Sequence, residues 1–547
     1  MSEIGRERFP LGAVACIAVG LMAARLAYLA WLCPYTLAED EAHYWDWSRN
    51  LDWSFYSKGP GVAWLIAAMT RIFGESELGV RAGAAIFGTI ATIGVAGTTH
   101  GAYGRKRATI ASAALFNLIP FYQVSSLLMT IDMPYVACWS LASWAAISAI
   151  HRGRGAAWAG VGACVAAGFL FKYTMVLIVP GIVVAVWGAR RKSRSHGVTE
   201  SRSERDKGAE GQRDDGEKAV RHGGNRHVGA WMVLGALIAL VGLVPVLAWN
   251  AERDWPTVRH LLGHLGVKGG DVPTAREAWT PLWFLEFVGM QVGLVGPALF
   301  LMIRGVVRTL RTGGMVGGMA GDEGASRSLV WIGLPLVMFY SAVSLVNDAE
   351  GNWAIAGYVT LVSLAAGLAT GGGPGPYPAW RLSWLFGVVV AVCFARLDVV
   401  ARAPGVGALV PLGRLMGADV RAAAVEREMA ALEEQTGFEA FVIAQHYGRA
   451  SQLAFYIDGR PVVYCSSSLM NGRRTQFDMW DHTDLRRREV NLELTGRPAV
   501  LVGGVPGQWD VAFEHVEPLG AIDGEVKRDR VSFVGYGYRG FTGPKGQ

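Results

Sequence analysis

Residues 11–32 have the sequence LGAVACIAVGLMAARLAYLAWL, in which Arg25 is the only charged residue. A helix needs about 20 apolar residues to cross the hydrocarbon core of a bilayer, and this tract is long enough to do so. It is too long for the core of a signal peptide, and no clear cleavage site follows it. The tract therefore predicts an uncleaved first membrane span.

Similar apolar tracts recur as far as residue 400 and predict the fold class. Of the 547 residues, 52% are hydrophobic and 18% are charged, and the mean hydropathy is +0.28. Many of the 20 tryptophans stand at tract ends, where an aromatic belt at the membrane surface places them. The sequence predicts a mainly α-helical, polytopic transmembrane bundle of about 11–13 spans. The candidate spans are 11–32, 80–100, 108–128, 132–150, 156–171, 173–189, 229–249, 282–303, 329–346, 353–370 and 382–400, with a shorter interfacial helix at 60–73.

Basic residues mark the short loops on one side of these spans. Clusters of Lys and Arg follow the second, fourth, sixth and eighth spans, and Arg6 and Arg8 precede the first. The positive-inside rule then places the N-terminus in the cytoplasm. Because the basic residues are distributed over several loops, the net charge of +6 forms no single basic face, and we expect no nucleic acid partner.

The composition changes after about residue 400, which predicts two domains. Residues 1–400 form the transmembrane domain, in which 191–228 is a charged cytoplasmic loop that we expect to be disordered. Residues 401–547 form a small soluble α/β domain. In it, 419–437 predicts a helix ended by a glycine, and the runs FVIA, PVVYC and AVLVGG predict short strands. An odd number of spans places this domain outside the cytoplasm.

The first outer loop begins with three consecutive carboxylates, Glu39, Asp40 and Glu41, and continues with Tyr44 and Trp45. A carboxylate at a membrane surface can accept the proton of a hydroxyl nucleophile, so Asp40 and Glu41 are candidate catalytic residues. Tyr44 and Trp45 are candidate substrate-binding residues. An ordinary charged start of a loop explains the three carboxylates equally well.

Three basic residues on the same predicted face are candidates for binding a phosphate leaving group. Lys58 precedes a Gly-Pro turn, Arg81 begins the second span, and Lys172 lies between the fifth and sixth spans. A lysine that snorkels to the membrane surface is the alternative for Lys58. Asp132, between the third and fourth spans, is a candidate catalytic carboxylate, and a role as a helix N-cap is compatible with that assignment.

Later outer loops place polar residues beside tryptophans, as in Asp254 with Trp255 and Asn352 with Trp353. A tryptophan ring can stack on the C–H face of a sugar while its polar neighbours bind the hydroxyls, but Trp is equally common as an interfacial anchor. His260 and His264 could join the first loop in a metal site, yet nothing in the sequence holds the two loops together. We therefore predict no metal site and no required cofactor, and leave assistance by a divalent metal open.

In their order along the chain, these segments resemble a known family. DEAHYWDWS (40–48) and LDWSFYSKGPGVAWL (51–65) are similar to the first outer loop of bacterial polyprenyl-phosphate-sugar glycosyltransferases of the GT-C class. These are the glycosyltransferase family 39 and aminoarabinose-transferase-like proteins, in the dolichyl-phosphate-mannose protein mannosyltransferase superfamily. The later segments follow in the family's order, so the resemblance covers about residues 10–400. They are ELGVR (77–81), TIDMP (130–134), GFLFKYT (168–174), NAERDW (250–255) and GNW (351–353).

The resemblance implies roles for individual residues. Asp40 matches the outer-loop aspartate proposed as the catalytic base of the family, and Asp132 resembles the aspartate of the next outer loop. Lys58 matches the lysine of a Lys-Pro-Pro motif that faces the carrier phosphate, with Gly59 in place of the first proline. The implied location is the bacterial inner membrane, with the active site and the C-terminal domain on the extracytoplasmic side.

The implied reaction moves a sugar from a polyprenyl-phosphate carrier to a hydroxyl of a lipid, glycan or protein acceptor. Asp40 accepts the hydroxyl proton while the oxygen attacks the anomeric carbon from the face opposite the phosphate, so the configuration inverts. Lys58, with Arg81 or Lys172, stabilises the departing polyprenyl phosphate as a fixed cation in a pocket of low dielectric constant.

Two other functions stay open at the level of the sequence. A transporter or flippase of lipid-linked sugars would share the spans, but it usually shows paired repeats and broken helices near the midplane of the membrane. Here the charges concentrate at one face, which favours an interfacial enzyme. In the third alternative the outer domain is a binding module, although eleven spans are more than an anchor needs.

Overall fold

The computed structural model describes residues 6–205, 215–264, 280–311, 322–371, 378–407, 410, 412–520 and 531–541. The chain folds into two compact units, each assembled from separate segments. The helical unit comprises Met1–Trp31, Arg81–Leu247 and Ala278–Ala395, and the mixed unit comprises Leu32–Val80, Ala248–Glu277 and Arg396–Gln547. A single boundary at residue 400 is therefore too simple, because two segments within the first 400 residues group with the C-terminal residues.

Helices dominate the described residues, and five strands occur near the C-terminus. The helices are α1 (Leu11–Trp31), α2 (Glu39–Arg49), α3 (Gly61–Phe73), α4 (Glu77–Tyr103), α5 (Lys106–Leu118), α6 (Pro120–Ser125), α7 (Asp132–Arg152), α8 (Ala157–Phe171), α9 (Ile178–Arg205), α10 (Asp215–Val241), α11 (Val244–Glu252), α12 (Pro256–His264), α13 (Leu282–Val295), α14 (Ala298–Arg311), α15 (Asp322–Val343), α16 (Tyr358–Ala369), α17 (Pro378–Ala395), α18 (Leu397–Val400), α19 (Ala418–Thr436), α20 (Tyr447–Tyr456) and α21 (Arg488–Leu494). The strands are β1 (Phe441–Ala444), β2 (Val463–Cys465), β3 (Ala499–Val502), β4 (Phe513–Gly520) and β5 (Ser532–Tyr538).

The described helices confirm a polytopic membrane bundle but lower the number of spans. Eight are long and apolar enough to cross a bilayer, and the count is nine if the bent pair α13 and α14 forms one span. Two of the eleven predicted spans are shorter helices. Pro120 separates α5 from α6 within predicted span 108–128, and α8 has only 15 residues. A helix of 15 residues is about 22 Å long, less than the hydrocarbon core of about 30 Å.

The bend between α13 and α14 has a local cause. The two helix axes differ by 107° at the break. Gly296 ends α13 with a φ of +67°, a left-handed conformation that glycine adopts without steric cost. Pro297 follows and has no N–H group with which to continue the helix.

The loop 191–228 was expected to be disordered, and its described parts are helical instead. Residues 191–205 continue α9 and residues 215–228 begin α10, whereas 206–214 lie outside the described residues. Arg, Lys and Glu are common in these segments and have good helix propensity. A helix that leaves the membrane can therefore continue without an apolar face to bury.

Small residues bring the helices of the helical unit close together. A side chain at Gly162 of α8 would overlap the backbone carbonyl of Gly235 in α10, and one at Gly94 of α4 would overlap Ser140 of α7. The hydrophobic effect does not drive helices together within lipid. Close approach of the backbones and the resulting van der Waals contacts stabilise their association instead.

The one charge of α1 is satisfied within this packing. Arg25 donates from Nη2 to Asn117 Oδ1 at 2.9 Å, and Asn117 Nδ2 donates to Thr92 Oγ1 at 2.9 Å. A buried charge in a membrane helix requires such polar partners.

The mixed unit contains one five-stranded sheet in the order β2-β1-β3-β5-β4. Strands β2, β1 and β3 are parallel, and β5 and β4 add to them in antiparallel fashion. The predicted α/β domain is thus confirmed, including its helix, which is α19 and ends at Gly437 with a φ of +72°. β4 and β5 were not predicted.

Buried apolar side chains hold the sheet to its helices. Members of this core include Phe441 of β1, Leu501 of β3, Phe533 and Tyr538 of β5, and Trp509. The four residues of β1 are all buried, as are those of β3, as expected for central parallel strands.

Candidate active site

The three consecutive carboxylates lie in the first turn of α2, a helix of the mixed unit. Negative side chains are favourable there because they oppose the positive end of the helix dipole. Glu41 is fully buried, and its Oε2 accepts a hydrogen bond from the Ala38 amide at 3.0 Å. Glu41 therefore has the contacts of a helix cap, and the predicted loop begins as a helix.

Asp40 is exposed and faces a residue of the C-terminal region. Its Oδ1 accepts a hydrogen bond of 3.2 Å from the hydroxyl of Tyr447, the first residue of α20. His446 caps α20, because its Nδ1 accepts from the Gly448 amide at 3.2 Å. Burial raises the pKa of Tyr447, and the neighbouring Asp40 carboxylate raises it further, so this hydroxyl stays protonated and donates.

Glu39 packs against the same end of α20. Its carboxylate lies 3.5 Å from His446 Nδ1 and 3.8 Å from Arg449 Nε. A side chain at Gly448 would overlap the Cβ of Glu39, so glycine permits this close approach of α20 to α2. The exposed carboxylate at Asp40 is thereby held over the start of α20.

A buried hydrogen-bond network lies one turn further along α2. Trp47 Nε1 can only donate, and it does so to His43 Nε2 at 3.1 Å. His43 must then carry its proton on Nδ1, which lies 3.1 Å from Ser451 Oγ. The Ser451 hydroxyl in turn donates to Asp46 Oδ2 at 3.2 Å. The network joins α2 to α20 and defines one tautomer of His43.

Burial shifts the pKa values of both titratable members of this network. It lowers the pKa of His43 well below its usual range, and the positive charge of Arg473 and the neighbouring His446 ring lower it further. It raises the pKa of Asp46 to about 6, against the opposing effects of Arg49 and the Ser451 hydrogen bond. His43 is consequently neutral at physiological pH, in agreement with the hydrogen bond that its Nε2 accepts.

The aromatic residues predicted to bind substrate belong to the interior of the mixed unit. Trp45 is 1% exposed, and its ring meets that of Phe455 in α20 at 4.8 Å between centroids. Tyr44 is also buried and packs edge-on against Trp47 at 5.2 Å. Both rings are covered by other side chains in this structure, and sugar binding by Tyr44 and Trp45 stays a prediction. Both residues join α2 to its surroundings.

Lys58 lies directly before the predicted Gly-Pro turn, and its carbonyl closes the loop that precedes it. The Lys58 carbonyl accepts from the Phe55 amide at 3.1 Å and from Ser54 Oγ at 3.3 Å. Pro60 precedes α3, the shorter helix expected at 60–73. The lysine side chain is half-buried, on a backbone that these two hydrogen bonds hold in place.

The segment 248–255 contacts the loop between α2 and α3. Trp249 Nε1 donates to Asp52 Oδ2 at 2.6 Å, and Arg253 lies 3.4 Å from the same oxygen. Asp254 has a φ of +59°, and its exposed carboxylate forms an ion pair with Arg259. The predicted substrate-binding residue Asp254 therefore lies on the surface of the mixed unit.

A second carboxylate cluster belongs to the helical unit. Asp132 begins α7 and is buried, and Lys172 Nζ lies 2.8 Å from its Oδ1. Asn352 Nδ2 donates to Asp132 Oδ2 at 2.9 Å. The ammonium of Lys172 also lies 5.5 Å from the centroid of the Tyr135 ring. Three predicted site residues from three distant segments thus meet.

Two further predicted residues lie in the helical unit. Trp353, next to Asn352, packs against Tyr340 with 5.4 Å between ring centroids. Arg81 is fully buried at the start of the predicted second span. A phosphate would have to enter the interior of the unit to reach its guanidinium.

No group of three or more His, Cys, Asp or Glu side chains among the described residues is placed to hold a metal ion. Both ring nitrogens of His43 already have partners, in Trp47 and Ser451. The side chain of His264 lies outside the described residues.

Comparison with known proteins identifies the chemistry to which these clusters belong. Residues 57–199 match the family described as dolichyl-phosphate-mannose-protein mannosyltransferase. The lipid A galacturonosyltransferase RgtD of Rhizobium johnstonii is 27% identical over 412 residues, which are 74% of each chain. The undecaprenyl phosphate-alpha-4-amino-4-deoxy-L-arabinose arabinosyl transferase of Pseudomonas savastanoi is 29% identical over 133 residues, 24% of this chain and 25% of the relative. The chain is a membrane glycosyltransferase, and it is similar to those of the GT-C class.

The fold of this glycosyltransferase is that of a solved relative. The crystal structure of ArnT from Cupriavidus metallidurans bound to undecaprenyl phosphate has a TM-score of 0.61 at 15% identity, covering 97% of this chain and 100% of that one. The similarity includes the C-terminal region, which the sequence resemblance to about residue 400 did not cover.

The glycosyltransferase has functional candidates that sequence reasoning missed. Tyr447 and Ser451 contact Asp40 and the His43 network from more than 400 positions away. The segment YGRASQLAFY (447–456) resembles the C-terminal extension of some relatives, but it had suggested no chemistry. The sequence signal that could have identified Tyr447 and Ser451 is the concentration of polar residues at the start of a helix. Helices with a purely structural role commonly have the same property.

Proposed function

We propose that this glycosyltransferase moves a sugar from a polyprenyl-phosphate carrier to a hydroxyl of a lipid acceptor, with Asp40 as the base. The carrier is supported by the relative that uses undecaprenyl phosphate-linked aminoarabinose, and the lipid acceptor by the relative that acts on lipid A. The proposed location is the extracytoplasmic face of the bacterial inner membrane. The basic clusters that follow alternate predicted spans support that orientation.

The accessibility of Asp40 is the observation that carries the proposal. Its neighbours have other partners, because Glu41 caps α2 and Glu39 lies beside His446 and Arg449. Asp46 is buried and accepts from Ser451. Asp40 is exposed, and its orientation is restrained by the Tyr447 hydroxyl. A general base needs this combination of access to the substrate and restricted orientation.

The proposed step forms one C–O bond and breaks another. The acceptor hydroxyl transfers its proton to Asp40 while its oxygen attacks the anomeric carbon. The bond from the anomeric carbon to the carrier phosphate breaks, and the phosphate leaves with the electron pair. Because attack occurs opposite the leaving group, the configuration at the anomeric carbon inverts. No cofactor is needed to balance this step.

The departing phosphate requires positive charge, for which Lys58 is the preferred candidate. Its backbone is fixed by the turn at 54–58, and its side chain is partly accessible. Lys172 is paired with Asp132, so we assign to this pair and Asn352 the orientation of a bound polar group. The complete burial of Arg81 favours a supporting role over phosphate contact.

Asp40→Asn tests the base. Purified full-length protein in nanodiscs is given a panel of radiolabelled polyprenyl-phosphate sugars with a lipid acceptor. The variant should lose transfer by a factor of about 100 to 10,000, the usual contribution of a positioned general base, while keeping its unfolding temperature. Asp481→Asn is the control, because it removes a carboxylate of the same unit that is 84% exposed.

Two outcomes would contradict the proposal. Activity of Asp40→Asn equal to that of the wild type would remove Asp40 from the role of base. Uptake or translocation of a lipid-linked sugar by the wild type, with no transfer to any acceptor, would favour the transporter alternative.

A further inference from the structure

Arg473 lies beside the Asp40–Tyr447 contact in the mixed unit. Its guanidinium carbon is 5.1 Å from the centroid of the Tyr447 ring, whose hydroxyl donates to Asp40. The Arg473 carbonyl accepts from Ser467 Oγ at 3.1 Å, which restrains the backbone that carries the side chain. Arg473 and Asp40 therefore contact the same side chain, that of Tyr447.

The described contacts of Arg473 differ from those of the other basic residues near Asp40. Among the described residues no carboxylate oxygen lies within 4 Å of its guanidinium nitrogens. The nearest acidic residue along the chain, Asp478, accepts from the Thr475 amide at 2.7 Å and pairs with Arg486. Arg449, the other arginine near Asp40, lies 3.8 Å from Glu39. Arg473 thus differs from its basic neighbours in having a ring as its described partner.

The field of Arg473 extends over the groups around Asp40. Burial lowers the pKa of His446, and the positive charge of Arg473 lowers it further. The carboxylates of Glu39 and Asp40 raise the same pKa. A half-buried cation of this kind is a favourable position for an anion that arrives with a substrate.

We propose that Arg473 binds an oxyanion of a substrate beside Asp40, either a carboxylate on the transferred sugar or a phosphate on the acceptor. The inference rests on the proposed function, because it takes the reacting groups to lie at Asp40. Arginine presents a planar fork of N–H donors that matches both anions, and the contact with the Tyr447 ring places that fork near the Asp40 partner. Arg473 is accordingly a specificity-determining residue of the C-terminal region.

Binding of paired probes tests the inference without requiring turnover. Full-length protein in nanodiscs is titrated with a radiolabelled methyl hexuronoside and the matching neutral methyl hexoside. A second pair is a phosphorylated glycolipid headgroup and its dephosphorylated form. The wild type should prefer the anion of one pair by about 10- to 100-fold, as charge-assisted hydrogen bonds allow, and the preferred pair identifies the source of the oxyanion.

The variants separate a specific site from general surface charge. Arg473→Gln should lose the preference, and Arg473→Lys should lose most of it, because lysine lacks the planar fork. Arg474→Gln is the matched control, since it removes the same charge from the exposed neighbouring residue and should keep the preference. In transfer assays Arg473→Gln should raise KM for the anionic substrate more than it lowers kcat.

Three results would overturn the inference. They are no anion preference in the wild type, an unchanged preference in Arg473→Gln, and an equal loss in Arg474→Gln. Asp40→Asn is measured in parallel and should still bind the anion although it fails to transfer. If Asp40→Asn keeps its activity, the proposed base fails while the binding result for Arg473 stands by itself.

Discussion

Replacing Asp46 by asparagine measures the cost of burying a carboxylate in α2. Asp46 is buried, and its pKa in the folded protein is about 6 compared with an ordinary value of 3.8. One pKa unit corresponds to about 1.4 kcal/mol, so the ionised carboxylate lowers the free energy of unfolding by about 3 kcal/mol above pH 6. Asparagine keeps an oxygen that can accept from Ser451 and has no charge to bury.

The pH dependence gives this prediction its sign. The folded protein binds the Asp46 proton more tightly than the unfolded chain, so the free energy of unfolding falls as the pH rises from about 4 to about 6. His43 has the opposite effect. Its lowered pKa makes the free energy of unfolding fall as the pH drops below about 6.5. In the wild type these two contributions oppose each other between about pH 4 and 6.

Asp46→Asn should therefore be more stable than the wild type by about 3 kcal/mol at pH 7.5 and by about half as much at pH 5. The free energy of unfolding of the variant should also fall as the pH drops below about 6.5, because the contribution of His43 is then no longer opposed by that of Asp46. The assay is unfolding of the full-length protein in detergent, followed by the fluorescence of its tryptophans across this pH range. Arg49 loses a partner at 3.6 Å, but its exposure makes that contribution small.

Asp481→Asn serves as the control for this measurement, because a carboxylate that is 84% exposed carries no desolvation cost. Its free energy of unfolding should stay within about 0.5 kcal/mol of the wild type at every pH. The reasoning would be refuted if Asp46→Asn were less stable than the wild type at pH 7.5, or if the difference were the same at pH 5.

Two further substitutions test the packing around the candidate site. Lys172→Met leaves Asp132 buried without its cation and should lower the free energy of unfolding by about 3–5 kcal/mol. Unfolding measurements on the double variant with Asp132→Asn should recover most of the loss, and equal losses in both proteins would contradict a buried ion pair. Gly448→Ala places a methyl group on the Cβ of Glu39 and should cost about 1–3 kcal/mol. Gly289→Ala, in α13 with open space around it, should be neutral or stabilising in the same assay.

Local sequence patterns were sufficient to predict the membrane bundle. A bilayer requires each span to satisfy its own backbone and to be apolar over its length, so each span is visible in its own residues. The same holds for α19, which has its glycine stop, and for the buried strands β1 and β3. The number of spans was harder to predict from the sequence, because Pro120 and the bend at Gly296 interrupt helices within tracts that are apolar throughout.

Part of the candidate site also followed from the sequence. Charged residues beside apolar tracts are rare, which makes Asp132 and Lys172 candidates, whereas Asn352 is a candidate because it stands beside Trp353. Their meeting within hydrogen-bond distance was not predictable, since each residue lies at the end of a different helix or loop. The burial of Tyr44 and Trp45 was not predictable, because an aromatic residue in the sequence looks the same whether it lies in a core or at a sugar site.

The sequence by itself determined that the chain spans a membrane and which carboxylates and cations occur near its surface, because those properties depend on residues close together in the chain. Only the tertiary structure decided which of these groups are accessible. Glu41 is buried as a cap and Asp40 is exposed, although they are adjacent. The contacts that orient Asp40 and His43 come from Tyr447 and Ser451, more than 400 residues away. Such contacts depend on how the α2 and α20 helices pack, and no local pattern encodes that packing.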